Sequence, residues 1–392
     1  MEPLGAPPAR VNQTITPRSP RLCTIGENVV DEYRCVAVLR SDCAMMTIQQ
    51  DPTIVLDTGR SGWVYAVVFH PDGIHLLSGG DNGIQRWQLA DGQEVGKQLE
   101  AGMAVGSICV SRDRKWVVRG TTKGASVWDA ELREKVIDVE ETNTVYAVDV
   151  SPDSTSFTTG IDHGASIWSI PSGERLVGPL KHDHWVTGIK FSPNGEHIAT
   201  ACFKSSIRVF DSRTGDWLIT IDTITPEWAP IIPLLWSDDG QQIFAASKDN
   251  KVRCFQVSTG SQLAESQILN GGGNNIRSIA LATNGKFLAT HAGEVITFLD
   301  TSTLSQIVPV VKDSGMIASL ALSSDSRYIA TGQYDRKISV RSLGSILPDL
   351  YGPFHVSICQ GLILSPTLTC MLAVYCRATT TSRTAFDLGQ PR

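Results

Sequence analysis

One sentence of residues recurs along this chain. It reads "WVYAVVFHPDGIHLLSG" from Trp63, "TVYAVDVSPDSTSFTTG" from Thr144, "WVTGIKFSPNGEHIATA" from Trp185 and "MIASLALSSDSRYIATG" from Met316. Each copy is a short apolar run, a turn of Ser, Pro, Asp, Asn or Gly, and a second apolar run. Aligned on the residue after the Ser-like position, seven copies fall at Pro71, Arg112, Pro152, Pro193, Asp238, Thr283 and Ser324. The steps between them are 41, 40, 41, 45, 45 and 41 residues.

A period of about 40–45 residues with four short strands per unit predicts the blade of a β-propeller. The unit from Trp185 shows why. Val186, Ile189 and Phe191 make a first β-rich run, and Ser192-Pro193-Asn194-Gly195 turns the chain. Pro presets its own φ, and Asn-Gly tolerates positive φ. His197 to Ala201, Ile207 to Phe210 and Trp217 to Ile221 supply three further strands. A lone four-stranded sheet cannot bury both faces, whereas a closed ring of such sheets can. The expected fold is therefore all-β, a propeller of four-stranded antiparallel blades. Thr53 to Asp57 is expected to pair with the last unit and lock a ring of seven, with residues 21–52 as a partial blade or flap. The alternative is an eighth blade built from residues 21–57. The propeller is expected over residues 53–344. Residues 1–20, with five prolines and no periodicity, read as disordered, and residues 345–392 as an irregular, poorly ordered tail.

Composition limits the function. The chain has 392 residues, 42% of them hydrophobic, a net charge of −6 and a pI near 5.8. An acidic balance argues against nucleic acid and anionic membranes as partners. Nine cysteines, an odd number without a Cys-x-x-Cys pair, and a Pro-rich start without an apolar signal segment predict free thiols in a reducing compartment. The expected location is cytoplasmic, with the nucleus as the alternative. "GLILSPTLTCMLAVYC" is too short and interrupted to span a bilayer.

Trp128-Asp129, with Trp87-Gln88, Trp168-Ser169, Phe210-Asp211, Phe255-Gln256 and Leu299-Asp300 at the same place in other units, gives the repeats a family resemblance. They resemble WD-repeat β-propellers, and their wording is most similar to stand-alone WD-repeat proteins of fungi. That family often carries a His, Ser/Thr, Asp and Trp set within a blade. His182 and Thr200 match two members in the fourth unit, whereas Arg60 and Glu141 replace the His in units one and three. No unit has all four, which predicts blades held more by packing than by that network, with unit six the weakest.

Candidates for chemistry are few. "GQEVGKQ" has three residues between its glycines and Gln98 after the Lys, so it fails the phosphate-loop spacing and reads as a hairpin turn. His182 and His184 share a face of an extended segment, but no third ligand stands nearby. Asp81, Asp162, Asp249 and Asp335 recur at one blade position, which points to turn chemistry. No catalytic residue, cofactor or metal is expected.

The resemblance implies a docking face. In WD-repeat propellers partners often dock on the top face, at positions flanking the start of each first strand and before the turn Asp. Carried onto this chain, these are Trp63 and Tyr65 in unit one, Thr144, Tyr146 and Ile161 in unit three, and Trp185, Thr187 and Phe203 in unit four. Lys248 in unit five, Asn275 and Arg277 in unit six, and Met316 and Tyr334 in unit seven complete the set. Six of the thirteen are aromatic in a chain only 7% aromatic, and aromatics with Arg favour interface centres. The expected function is a non-enzymatic scaffold for a protein or peptide partner, a single propeller within a complex. The alternatives are a sensor propeller detached from a larger NTPase-type protein, or an enzyme with its site in the central channel.

Overall fold

The computed structural model describes residues 47–48 and 54–351, apart from 60–61, 82, 97, 100–104, 132–133, 203–205, 223–232, 248, 268 and 270–274. The expected disordered start and C-terminal tail lie outside the described residues. The chain forms a seven-bladed propeller, as the period predicts. Blade four is typical: Val186–Phe191, His197–Cys202, Ser206–Asp211 and Trp217–Asp222 form one antiparallel sheet in chain order. The first strand of each blade adjoins that of the next, and the first strand of blade seven adjoins that of blade one.

Ring closure uses the N-terminal side of the repeats. Ile54–Asp57 pairs antiparallel with Lys337–Ser342, from Ile54 opposite Val340 to Asp57 opposite Lys337. It supplies the fourth strand of blade seven, so the ends of the ring are held by backbone hydrogen bonds. Thr47–Ile48 lies parallel to Val310–Lys312 and gives blade six a fifth strand. Blade six, with the weakest repeat wording, is thus a complete sheet. Blade one is the thin one. Its regular strands are Val64–Phe69, His75–Gly80 and Gly83–Gln88, and among the described residues the bridges Ile84–Leu99 and Trp87–Glu94 stand for a fourth.

The core is divided among the blade interfaces. Among the described residues, seven clusters of buried apolar side chains occur, each shared by two neighbouring blades. Leu56, Val64, Phe69, Ala330 and Val340 join blades seven and one, so closure also buries apolar surface. Close approach demands glycine at the end of the second strand: a Cβ on Gly160 would stand 2.9 Å from Val186 of the next blade, and one on Gly332 2.7 Å from Val64.

Within the blades the polar network persists in part, with substituted members. In blade three Thr159 Oγ1 donates to Glu141 (2.8 Å) and accepts from Trp168 Nε1 (2.9 Å). In blade four Thr200 Oγ1 meets His182 Nε2 at 2.8 Å. In blade seven Thr331 donates to Asp313, whose carboxylate binds Arg341 through two N–H groups at 3.0 and 3.1 Å. The outer partner stands 18 residues before the threonine in all three cases. An acid takes the histidine's place in blades three and seven, so hydrogen bonding persists where the family residues are missing. Blade one keeps a shorter version, Trp87 Nε1 to Ser78 Oγ at 2.8 Å.

Candidate docking site

The seven first strands line a central channel, in which a cavity of about 520 Å³ opens. Six of the thirteen positions expected on the docking face border it: Tyr65, Thr144, Tyr146, Thr187, Arg277 and Tyr334. A recurrent backbone irregularity explains the placement. Pairing between first and second strands slips between Val64 and Ala66, Val186 and Gly188, Ile276 and Ile279, and Ile317 and Ser319. The skipped residues include Tyr65, Thr187 and Arg277. A β-bulge leaves its extra residue outside the ladder and re-aims its side chain. Here the re-aimed side chains border the channel.

Two aromatic groups stand at the mouth. In the first, the Trp63 ring meets Tyr65 edge-on at 5.9 Å and Tyr334 at 5.3 Å between centroids. Arg277 donates to the Tyr334 hydroxyl (2.6 Å), and its guanidinium carbon lies 5.6 Å from that ring's centroid. The backbone N–H of Trp63 donates to Asp81 (3.0 Å). Burial, followed by the hydrogen bond to Asp81, pushes the Tyr65 hydroxyl up to about 12, so it stays a neutral donor at physiological pH. The second group is Tyr146 stacked on Trp185, with 5.7 Å between centroids and 23° between planes. Edge-on and stacked geometries suit aromatic quadrupoles and hold the rings in place. Trp63 and Trp185 remain 52% and 43% exposed, which is unusual for such large apolar side chains.

The remaining positions divide. Met316 is exposed, and Asn275, Thr144 and Thr187 are half-buried. Ile161 is 7% exposed and packs within the cluster between blades two and three, so it offers no docking surface. Phe203 and Lys248 lie outside the described residues. The recurring aspartates behave partly as turn residues: Asp249 accepts from the Lys251 N–H and Asp335 from the Lys337 N–H. Asp81 instead crosses to Trp63, a role that its repeat position does not announce.

Among the described residues lining the channel there is no carboxylate and no histidine; Lys190 and Arg277 are its charged members. Lys190 is paired with Asp149 at 2.7 Å. His182 is committed to Leu180 O and Thr200, so it does not combine with His184 as a ligand pair. Among the described residues, one group brings metal-ligand atoms together: His70, Asp72 and His75, at the opposite end of the strand that carries Tyr65. The described cysteines 109, 202 and 254 are buried free thiols. No helix among the described residues is long and apolar enough to cross a membrane.

Comparison with known proteins agrees with this architecture. The family described as "WD domain, G-beta repeat" matches residues 51–88, 175–211 and 307–342. Small ribosomal subunit protein RACK1 of Caenorhabditis elegans is 32% identical over 160 residues, 38% of this chain and 48% of the relative. Serine-threonine kinase receptor-associated protein of Gallus gallus is 26% identical over 195 residues, 50% of this chain and 53% of the relative. Intraflagellar transport protein 122 homolog of Xenopus tropicalis is 18% identical over 284 residues, 71% of this chain and 23% of the relative. The chain thus spans about half or less of the length of these relatives. The chain is thus a seven-bladed β-propeller with a 40–45-residue period, and its repeats at residues 51–88, 175–211 and 307–342 match the WD-repeat family.

Proposed function

We propose that the chain is a non-enzymatic platform that docks a protein or peptide partner over the channel mouth. The observation that carries this reading is the clustering of aromatic side chains there. Trp63, Tyr65 and Tyr334 form one group with Arg277, and Tyr146 and Trp185 form another, with both tryptophans largely exposed. Aromatics and Arg dominate the energetic centres of interfaces because they bury much area at little entropic cost. A channel wall free of carboxylate and histidine among its described residues supports binding over catalysis. The net charge of −6 supports a protein partner over nucleic acid. The names of the relatives point the same way: a ribosomal subunit protein, a receptor-associated protein and a transport protein.

The test is capture of partners by the tagged chain in its native cells, compared with a variant carrying Trp63→Ala and Trp185→Ala. Both side chains are exposed, so the variant should fold. An interface anchor of this kind contributes about 2 kcal/mol or more, so a stoichiometric partner should be lost at least about 30-fold. Unchanged capture by the folded variant would refute the reading. One observation favours a second reading. The frog relative aligns with 71% of this chain over only 23% of its own length, so a similar propeller can serve as one part of a longer protein. That reading is a sensor propeller detached from a larger NTPase-type signalling protein, with the mouth as its ligand-recognition face.

A further inference from the structure

The turn between the first two strands of blade one departs from the turns of its neighbours. In blades two, three, five and seven a serine hydroxyl donates to an aspartate two residues on: Ser111 to Asp113, Ser151 to Asp153, Ser237 to Asp239 and Ser323 to Asp325, at 2.5–2.7 Å. Blade four uses Ser192 and Asn194 in the same way. The same serine oxygen accepts the N–H five residues on, at 2.9–3.0 Å. In blade one the serine is His70, the aspartate is Asp72, and the fifth residue is His75. The fold needs no histidine at either place, because Asp72 Oδ1 alone fixes the turn by accepting from the N–H groups of Ile74 (2.9 Å) and His75 (3.0 Å).

The other oxygen, Oδ2, is left facing two imidazole nitrogens, Nδ1 of His70 at 2.8 Å and Nδ1 of His75 at 2.6 Å. The three ligand atoms lie within 4.8 Å of one another. Each nitrogen is also approached by an N–H donor. The Asp72 N–H points at His70 Nδ1 (3.3 Å), and Arg86 Nη2 stands 2.9 Å from His75 Nδ1. A donor requires a lone pair on the nitrogen, whereas a carboxylate oxygen so close requires a proton there. One nitrogen cannot meet both demands. A cation bound by the two nitrogen lone pairs and Oδ2 would account for the close approach of both rings to one carboxylate oxygen, and would displace the N–H donors from those nitrogens. His70 is 6% exposed and its Nε2 has no partner, so the polar contacts of the ring run through Nδ1 into this cluster.

We propose that His70, Asp72 and His75 bind one divalent transition-metal ion, with Zn²⁺ the best fit. Two neutral imidazoles and one carboxylate are a familiar zinc donor set that leaves a fourth, open position. Zn–N and Zn–O bonds of about 2.0–2.2 Å place neighbouring ligand atoms roughly 3.3–3.5 Å apart, so the contacts to Oδ2 must open by under about 1 Å. Arg86 is the competitor, since its guanidinium is 3.6 Å from Oδ2 and occupies the approach to His75. Its other amino group donates to Ala130 O of blade two (3.3 Å), which gives the guanidinium a place to withdraw. The ion would clamp the hairpin of blade one, which has three regular strands among the described residues. The site lies at the far end of the strand from Tyr65, so it is independent of partner docking.

The test uses the full chain without a polyhistidine tag, stripped of metal, titrated with Zn²⁺ against a chromogenic zinc indicator and with Co²⁺ by visible absorption. The repeat itself supplies variants that should fold: His70→Ser restores the turn residue of the other blades, and His75→Gln installs the residue of blade five, Gln242. The expected result is about one zinc per chain, weakened at least roughly tenfold by either variant. Arg86→Ala should tighten binding, because a competing cation is removed. His163→Gln, at an exposed histidine, should leave binding unchanged. No zinc bound by the folded wild type, or binding indifferent to both H70S and H75Q, would overturn the proposal.

Discussion

Removing the carboxylate of Asp313 tests whether the substituted polar networks hold the blades. Asp313 and Arg341 are 0% and 3% exposed at their side chains, so neither charge regains water unless blade seven opens. The carboxylate accepts two N–H groups from Arg341 and the hydroxyls of Thr331 and Ser339. In Asp313→Ala those donors lose this acceptor, and the buried guanidinium loses the carboxylate that it binds through two N–H groups. Breaking a buried pair on one side costs about 3–5 kcal/mol. That is a large share of the roughly 5–15 kcal/mol that stabilises a typical folded protein. Replacing both partners with apolar residues, Asp313→Leu with Arg341→Met, should cost less than the single change, because no charge is stranded. Urea unfolding of the three proteins gives the comparison. A loss under about 1 kcal/mol for Asp313→Ala would equal that of an exposed surface pair and refute the reasoning. Acid provides a second reading of the same pair. Burial alone would raise the Asp313 pKa, but the hydrogen bonds and charge of Arg341 outweigh it and hold it below the ordinary value. Its contribution is therefore present above the ordinary carboxylate range and is lost as pH falls through the lowered folded-state pKa. The double variant should lack this acid-sensitive component.

Two further outcomes follow from the structure. Burial, only partly offset by the hydrogen bond to Leu180 O, lowers the His182 pKa to about 4. Between roughly pH 6.5 and 4 the unfolded chain therefore binds the extra proton, and stability is lost as the pH is lowered, by an amount on the order of 3 kcal/mol. His182→Gln should flatten that window in a pH series of urea midpoints, and an unchanged slope would contradict it. Burial also raises the thiol pKa of Cys109, Cys202 and Cys254, to about 11 in the last case. In the native protein these three should resist alkylation at neutral pH and react fully after denaturation, as peptide mass spectrometry would read; rapid native labelling of Cys109 would contradict its burial.

The ring was legible in the sequence because its information is periodic. A four-stranded unit with a fixed turn writes itself seven times, and Ile54–Asp57 carries enough β character to show as the closing strand. The blade networks were less legible, because they were sought by residue type. Glu141 and Asp313 do the work of a histidine, and only the shared spacing of 18 residues to Thr159 and Thr331 reveals the substitution. At the mouth, repeat position indicated which residues could cluster but not how. The bulge at Tyr65 is a backbone event that needs the register of two strands, and Ile161 turned inward because its blade interface required an apolar side chain. His70 went unread although its signal was present: it breaks the Ser-x-Asp rule of the neighbouring turns, and only the folded hairpin shows its ring and that of His75 meeting one carboxylate oxygen.

The most direct test of the docking account is site-specific photo-crosslinking in native cells. A photoreactive residue at Tyr146, on the mouth, is compared with one at Asp153, on the turn at the other end of the same blade. The account predicts a discrete protein adduct from the mouth position, abolished when Trp185 is alanine, and none from the turn. An adduct from Asp153 alone, or from both positions equally, would contradict the claim that this propeller binds its partner through the aromatic mouth.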